Sequence, residues 1–116
     1  MITGINLNET IDYVSKKDTA DNPTIWKLGI IPTKILGKAS MQKDQMDMAF
    51  SLMQLGIKGW TNFNGIEYKT IKENKFGDEI DVVPLELINR IPFAIIAELS
   101  EEICKLNKLT LPETKN

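Results

Sequence analysis

The stretch 84-PLELINRIPFAIIAELSEEICKLNK-108 decides how this chain is read. Pro84 and Pro92 each suit the first turn of a helix, where the amide hydrogen that proline lacks is not needed. Behind Pro92, the residues Phe93, Ile96, Ala97, Ser100, Ile103 and Asn107 follow at helical spacing. The pattern predicts a helix pair, Pro84 to about Arg90 and Pro92 to about Lys108. Glu98, Glu101 and Glu102 fall on the exposed side, and Lys105 and Lys108 stand near the negative end of the dipole. Cys104, beside Ile103, reads as a semi-buried helix residue. This is a packing signal with no chemistry attached.

Upstream of Pro84 the signals turn to strands. Trp60 and Phe63 lead to Asn64-Gly65, which accepts the positive φ angles of a two-residue hairpin, and then to Ile66, Tyr68 and Thr70. Pairing across that turn sets Phe63 opposite Ile66 and Trp60 near Lys69. Phe76, Gly77 and Asp78 mark a second turn, with Ile80, Val82 and Val83 as a short strand. Thr24 to Ile31, bounded by Pro23 and Pro32, is β-branched and aromatic enough for a strand at the centre of a small sheet, partly covered on both faces. At an edge it would invite a second copy to form a homo-oligomer, which Ile30→Lys would prevent.

Between these blocks, Thr33 can cap a turn through Ile35 and Leu36 that breaks near Gly37. Met41 to Ile57 reads as an amphipathic helix ended by Gly56 or Gly59. Its apolar face is Met46, Ala49, Phe50, Met53 and Ile57, with Ser51 and Gln54 opposite. The beginning, 1–22, reads as a flexible arm and loop, in which Asn8 or Thr10 caps a helical turn into Val14. The expected architecture is α+β: a small sheet or hairpin packed with amphipathic helices, forming one domain over 23–109 with a mobile tail at 110–116.

The 116 residues, 42% of them apolar, suffice for one core. Fourteen basic against 16 acidic residues, spread along the chain and with Arg90 the only arginine, argue against nucleic acid as a partner. No apolar run approaches the ~20 residues of a membrane span, and the start has no signal-peptide pattern, so a cytosolic location and no membrane partner are expected. Without histidine, and with one cysteine, no zinc or thiol ligand set exists. The carboxylates at Asp78, Glu79 and Asp81 and at Glu98, Glu101 and Glu102 read as solvated surface, and no phosphate-loop step follows the glycines. No catalytic, cofactor or metal residue is expected, and no enzyme. Met41 and Met48 are the methionines free for outward contact, while Met46 and Met53 fill the core.

Four blocks carry a resemblance: Gly4-Ile5-Asn6-Leu7-Asn8-Glu9-Thr10 with Tyr13-Val14-Ser15-Lys16, Asn22-Pro23-Thr24-Ile25-Trp26-Lys27-Leu28-Gly29, Leu55-Gly56-Ile57-Lys58-Gly59-Trp60-Thr61-Asn62-Phe63, and Ile91-Pro92 leading into Glu98-Leu99-Ser100-Glu101-Glu102-Ile103. Their order resembles small tailed-bacteriophage proteins encoded among the head and tail morphogenesis genes. The resemblance implies a non-enzymatic component of virion assembly, either like a tail assembly chaperone or a head-to-tail accessory protein. It would act in the host cytoplasm or the virion, with other phage structural proteins or a host protein as partner. The competing reading is a phage-encoded inhibitor that docks on a host enzyme or defence protein. Trp60, Phe63 and Tyr68 around Asn64-Gly65, with Met48, are the candidate contact anchors, since exposed aromatics dominate interfaces; the same three aromatics equally suit the core.

Overall fold

A computed structural model describes residues 1–109; the expected mobile tail lies outside the described residues. Strands β1 (Thr10–Tyr13), β2 (Ile25–Gly29) and β3 (Ile57–Thr61) form an antiparallel sheet in the order β1-β2-β3. Helices α1 (Thr33–Ser40) and α2 (Gln45–Gly56) fill the crossover from β2 to β3. A hairpin of β4 (Ile71–Lys75) and β5 (Asp78–Val82) then leads into α3 (Leu85–Ile88) and α4 (Phe93–Leu106). The fold is α+β, with the expected strand at the sheet centre and the expected helix pair at its end.

One sheet face is polar. Asp12 and Lys27 pair across it at 3.0 Å, and Ile25 is exposed. The other face presents Trp26, Leu28, Ile57 and Trp60 to the helices, and Leu28, Leu52, Met53, Val83, Leu99 and Ile103 are at most 1% exposed. The expected cover on both faces of β2 is therefore absent along Ile25 and Lys27. Asn107 ties the end of α4 to this layer: its Oδ1 accepts from the Ile31 amide at 2.8 Å and its Nδ2 donates to the Gly29 carbonyl at 3.2 Å.

Several expectations are corrected. The helical turn from Asn8 or Thr10 into Val14 is strand β1 instead, because Ile11 and Tyr13 alternate inward opposite Leu28 and Trp26. Helix α1 runs through Gly37, whose cost of about 1 kcal/mol is outweighed by burial of Ile35 and Ala39 on either side. Helix α2 starts only at Gln45, where the Asp44 carboxylate accepts from the Met46 and Asp47 amides at 2.8 and 3.1 Å. Its second half is enclosed by α4, α3 and β5 together, so Ser51 and Gln54 are buried while Met46 stands 52% exposed. The buried Gln54 donates its Nε2 hydrogen to the Val83 carbonyl and accepts from the Val83 amide on its backbone oxygen.

Asn64-Gly65 does make a tight turn, closed by the Ile66 amide on the Phe63 carbonyl at 2.8 Å, but no hairpin. Strand β3 pairs back to β2, Trp60 opposite Trp26, because large rings facing each other across a ladder bury more surface than the Phe63–Ile66 curl offers. The hairpin turn lies at Phe76-Gly77, both with positive φ. Since β2 is central it presents no free edge, and Ile30, only 6% exposed, would bury a charge as lysine, so Ile30→Lys reports on folding and not on assembly.

Candidate contact surface

Trp60, Phe63 and Tyr68 come together as one cluster with Trp26. The ring centroids lie 5.7 Å apart for Trp26–Trp60, 5.3 Å for Trp60–Phe63 and 5.1 Å for Trp60–Tyr68, mostly edge to face. Their polar ends are satisfied inside the chain. The Trp60 indole N–H donates to the Ile66 carbonyl and the Tyr68 hydroxyl to the Ile57 carbonyl, each at 2.8 Å. Burial, with the Asp81 charge behind it, pushes the Tyr68 hydroxyl up to about 12. Cavities of about 600 and 260 Å³ flank Phe63, one floored by Trp60 and Tyr68, the other by Trp26 and Ile95. Trp60 is 9% exposed, and Phe63 and Tyr68 are partly buried. Met48 is partly buried on α2 and lines neither cavity.

Two exposed large apolar side chains of the helical layer, Phe93 and Met46, lie elsewhere, while Met41 at the end of α1 stands 80% exposed on its own. Helices α2 and α4 run in the same direction. Gly56, at the end of α2, meets Ile103 near the end of α4, so closely that a Cβ there would stand 2.7 Å from Ile103 Cγ2. From that pinch the helices splay, and their first turns enclose a groove of about 410 Å³ lined by Met46, Ala49, Phe50, Phe93, Ile96 and Ala97. Phe93 is 66% exposed. Apolar periodicity put Met46 on the core side and Phe93 in the helix's apolar series. The signal that could have marked both is their place in a first helical turn, ahead of the stretch that packs.

Among the described residues Glu101, in the groove wall on α4, makes no ion pair, and neither does Asp47 on the far side of Met46. Lys75 lies across the adjoining cavity that Asp47, Phe50 and Leu85 share.

Next to the groove, Glu98 is a latch and not the free surface carboxylate expected. It accepts from the Tyr13 hydroxyl, from Ser15 Oγ at 2.7 Å and from the Lys16 amide at 2.9 Å, holding the strand β1 segment against α4. Burial alone would raise its pKa, but the bonds from Ser15, Tyr13 and Lys16 and the charge of Lys17 together hold it below the usual carboxylate value. Tyr13 is raised well above an ordinary phenol by desolvation first, then by the Glu98 bond and the surrounding carboxylates. A depressed carboxylate stabilises the fold above its unfolded pKa, and that stability disappears as pH falls through the folded value. Acid titration followed by thermal melting is therefore expected to show a loss below about pH 4.5 that Glu98→Gln flattens. Equal slopes in the two proteins would refute the latch.

The chemistry available is limited. Burial, then Glu101, raises the Cys104 thiol, which keeps it out of the reactive thiolate form. Among the described residues no three His, Cys, Asp or Glu side chains converge to hold a metal ion, and no helix is long and apolar enough to cross a membrane. Comparison with protein-family models, curated proteins and solved structures found no match for this chain.

Proposed function

We propose that this chain is a non-enzymatic phage or prophage protein that acts by protein contact in virion assembly, as a tail assembly chaperone or head-to-tail accessory protein. The observation that carries the contact role is the splayed α2/α4 groove, where Phe93 and Met46 are 66% and 52% exposed above a floor of Ala49 and Ala97. Large apolar side chains gathered at a concave surface mark an interaction site far better than scattered ones do. The phage setting follows the resemblance of the four sequence blocks. Trp60, Phe63 and Tyr68 would then serve mainly as a rigid part of the core, with Phe63, flanked by two cavities, open to a second contact.

Deleting the gene from its phage or prophage is expected to abolish infectious particles and leave unjoined heads or tails visible by electron microscopy. A plasmid copy carrying Phe93→Ser with Met46→Ser should fail to restore them. Two truncated anchors at about 2 kcal/mol each weaken a contact roughly a thousandfold. Both residues are exposed, so the doubly substituted protein should melt like the parent. Normal particle yield without the gene would refute the assembly role, and full rescue by the double variant would refute the groove. Mass spectrometry of purified virions then separates a structural component, present in fixed proportion, from a chaperone, which is absent.

A further inference from the structure

Independently of the groove, we propose that the segment Ile5–Tyr13 is a two-fold interface, in which β1 pairs antiparallel with β1 of a second copy in a register centred on Glu9. Two features carry it. First, apolar and polar residues alternate along 5-INLNETIDY-13, and the order is the same read in either direction from Glu9. Leu7 mirrors Ile11, Ile5 mirrors Tyr13, and Asn8 and Asn6 mirror Thr10 and Asp12. Such period-two alternation marks a strand with one covered face, yet only Thr10–Tyr13 is paired within the chain. Ahead of Thr10 there is no partner to continue with, because β2 ends at Gly29 and the Ile31 amide is taken by Asn107. Ile5 and Leu7 are more than half exposed, and the arm is held only by a turn of its own: the Asn8 amide donates to Asn6 Oδ1 at 3.0 Å and the Glu9 amide to the Asn6 carbonyl at 3.2 Å.

Second, β1 is the outer strand of its sheet, with no neighbour beyond it among the described residues. Every second residue of such a strand turns its N–H and C=O outward. The edge is also firm, since Glu98 fixes the Tyr13–Lys16 segment to α4 and Lys27 holds Asp12. Once the Asn6 turn opens, Leu7 of one copy meets Ile11 of the other and Ile5 meets Tyr13 on the helix side of the sheet, while Asn6 meets Asp12 and Asn8 meets Thr10 on the other side. Ile5 so placed adjoins the cavity of about 420 Å³ that Tyr13 shares with Ala94, Ala97 and Glu98. The two turn bonds of each copy give way to about eight to ten ladder bonds across the pair. The seam buries on the order of 1,000 Å² in total, the threshold for a specific interface. Because the pattern is its own mirror, the contact closes at two copies and joins two three-stranded sheets into one. One pair works against it: Glu9 faces Glu9, and like charges directly opposite each other repel.

Sedimentation of the full chain from about 1 µM to about 1 mM should show a monomer–dimer equilibrium. Glu9→Gln should tighten it roughly tenfold by removing the repulsion. Leu7→Pro should weaken it at least about a hundredfold, since proline removes a ladder donor. Leu7 is the second residue of the Asn6–Glu9 turn and has a negative φ, so proline suits the free monomer. At dilutions where both proteins are monomers they should melt alike. The register is read by Glu9→Cys, which sets two thiols on residues about 4.5–5.5 Å apart between Cα atoms and should oxidise to a linked dimer. Val14→Cys, off the two-fold axis, should not, and Cys104 is buried and does not compete. A chain that stays monomeric at about 1 mM, a dimer that Leu7→Pro leaves intact, or equal crosslinking at positions 9 and 14 would each overturn the inference. So would a dimer dissolved by Phe93→Ser with Met46→Ser and not by Leu7→Pro, which would move self-association to the α2/α4 groove. A monomeric chain that binds a different protein and loses it with Leu7→Pro would likewise refute the second copy and make the edge a seat for a foreign strand.

Discussion

Replacing Trp60 with alanine is expected to cost about 3–5 kcal/mol, the range for emptying a large aromatic site in a core. At 9% exposure nearly the whole ring is removed from water. It also touches three other rings, Trp26, Phe63 and Tyr68, so the edge-to-face contacts go with it. Small domains hold only about 5–15 kcal/mol in total, which makes the loss a large fraction of the fold's stability. Urea melts should show it, and the near-ultraviolet dichroism of the coupled indoles should collapse in the same variant. Trp60→Phe keeps a ring in place but leaves the Ile66 carbonyl without its donor, at a cost of about 1–2 kcal/mol. A change below about 1 kcal/mol for Trp60→Ala would mean that the cluster is not part of the core.

The second large effect sits at the pinch between α2 and α4. Ile103 is fully buried, so Ile103→Ala should cost about 2–5 kcal/mol. Gly56→Ala should cost about 1–3 kcal/mol, because its new methyl group would stand 2.7, 2.8 and 3.0 Å from three Ile103 side-chain carbons that have nowhere to move. Together the two should be less damaging than their sum by at least about 1 kcal/mol, since the methyl group at position 56 enters space that Ile103 has vacated. Strict additivity in denaturant melts would mean that the helices do not meet there.

Much of the architecture was legible because it follows local rules. Pro84 and Pro92 sit as N-caps of α3 and α4, and the run between Pro23 and Pro32 yields the central strand β2. What escaped depends on partners distant in sequence. Asn64-Gly65 carries a strong hairpin signal, yet Trp26, more than thirty residues earlier, claims Trp60 and turns β3 the other way. Ser51 and Gln54 look like a solvent face until three elements close around the second half of α2. In sequence Glu98 is one more surface acid, and only the return of the β1 segment against α4 supplies its Tyr13, Ser15 and Lys16 donors. The aromatic cluster could be foreseen as residues, because Trp60, Phe63 and Tyr68 lie close in sequence. The groove could not, because α2 and α4 converge only in three dimensions.

The stitches between Glu98 and the Tyr13–Lys16 segment and between Asn107 and Ile31 join the first third of the described residues to the first half and the C-terminal cap of α4. A nascent chain still missing α4 has neither the wall that β2 leans on nor the clasp for the β1 segment, so stable tertiary structure has to await synthesis of α4. Such long-range closures slow folding. Until then the indole-bearing strands stay uncovered, which makes the interval of synthesis, rather than the finished molecule, the period of greatest exposure to aggregation and proteolysis.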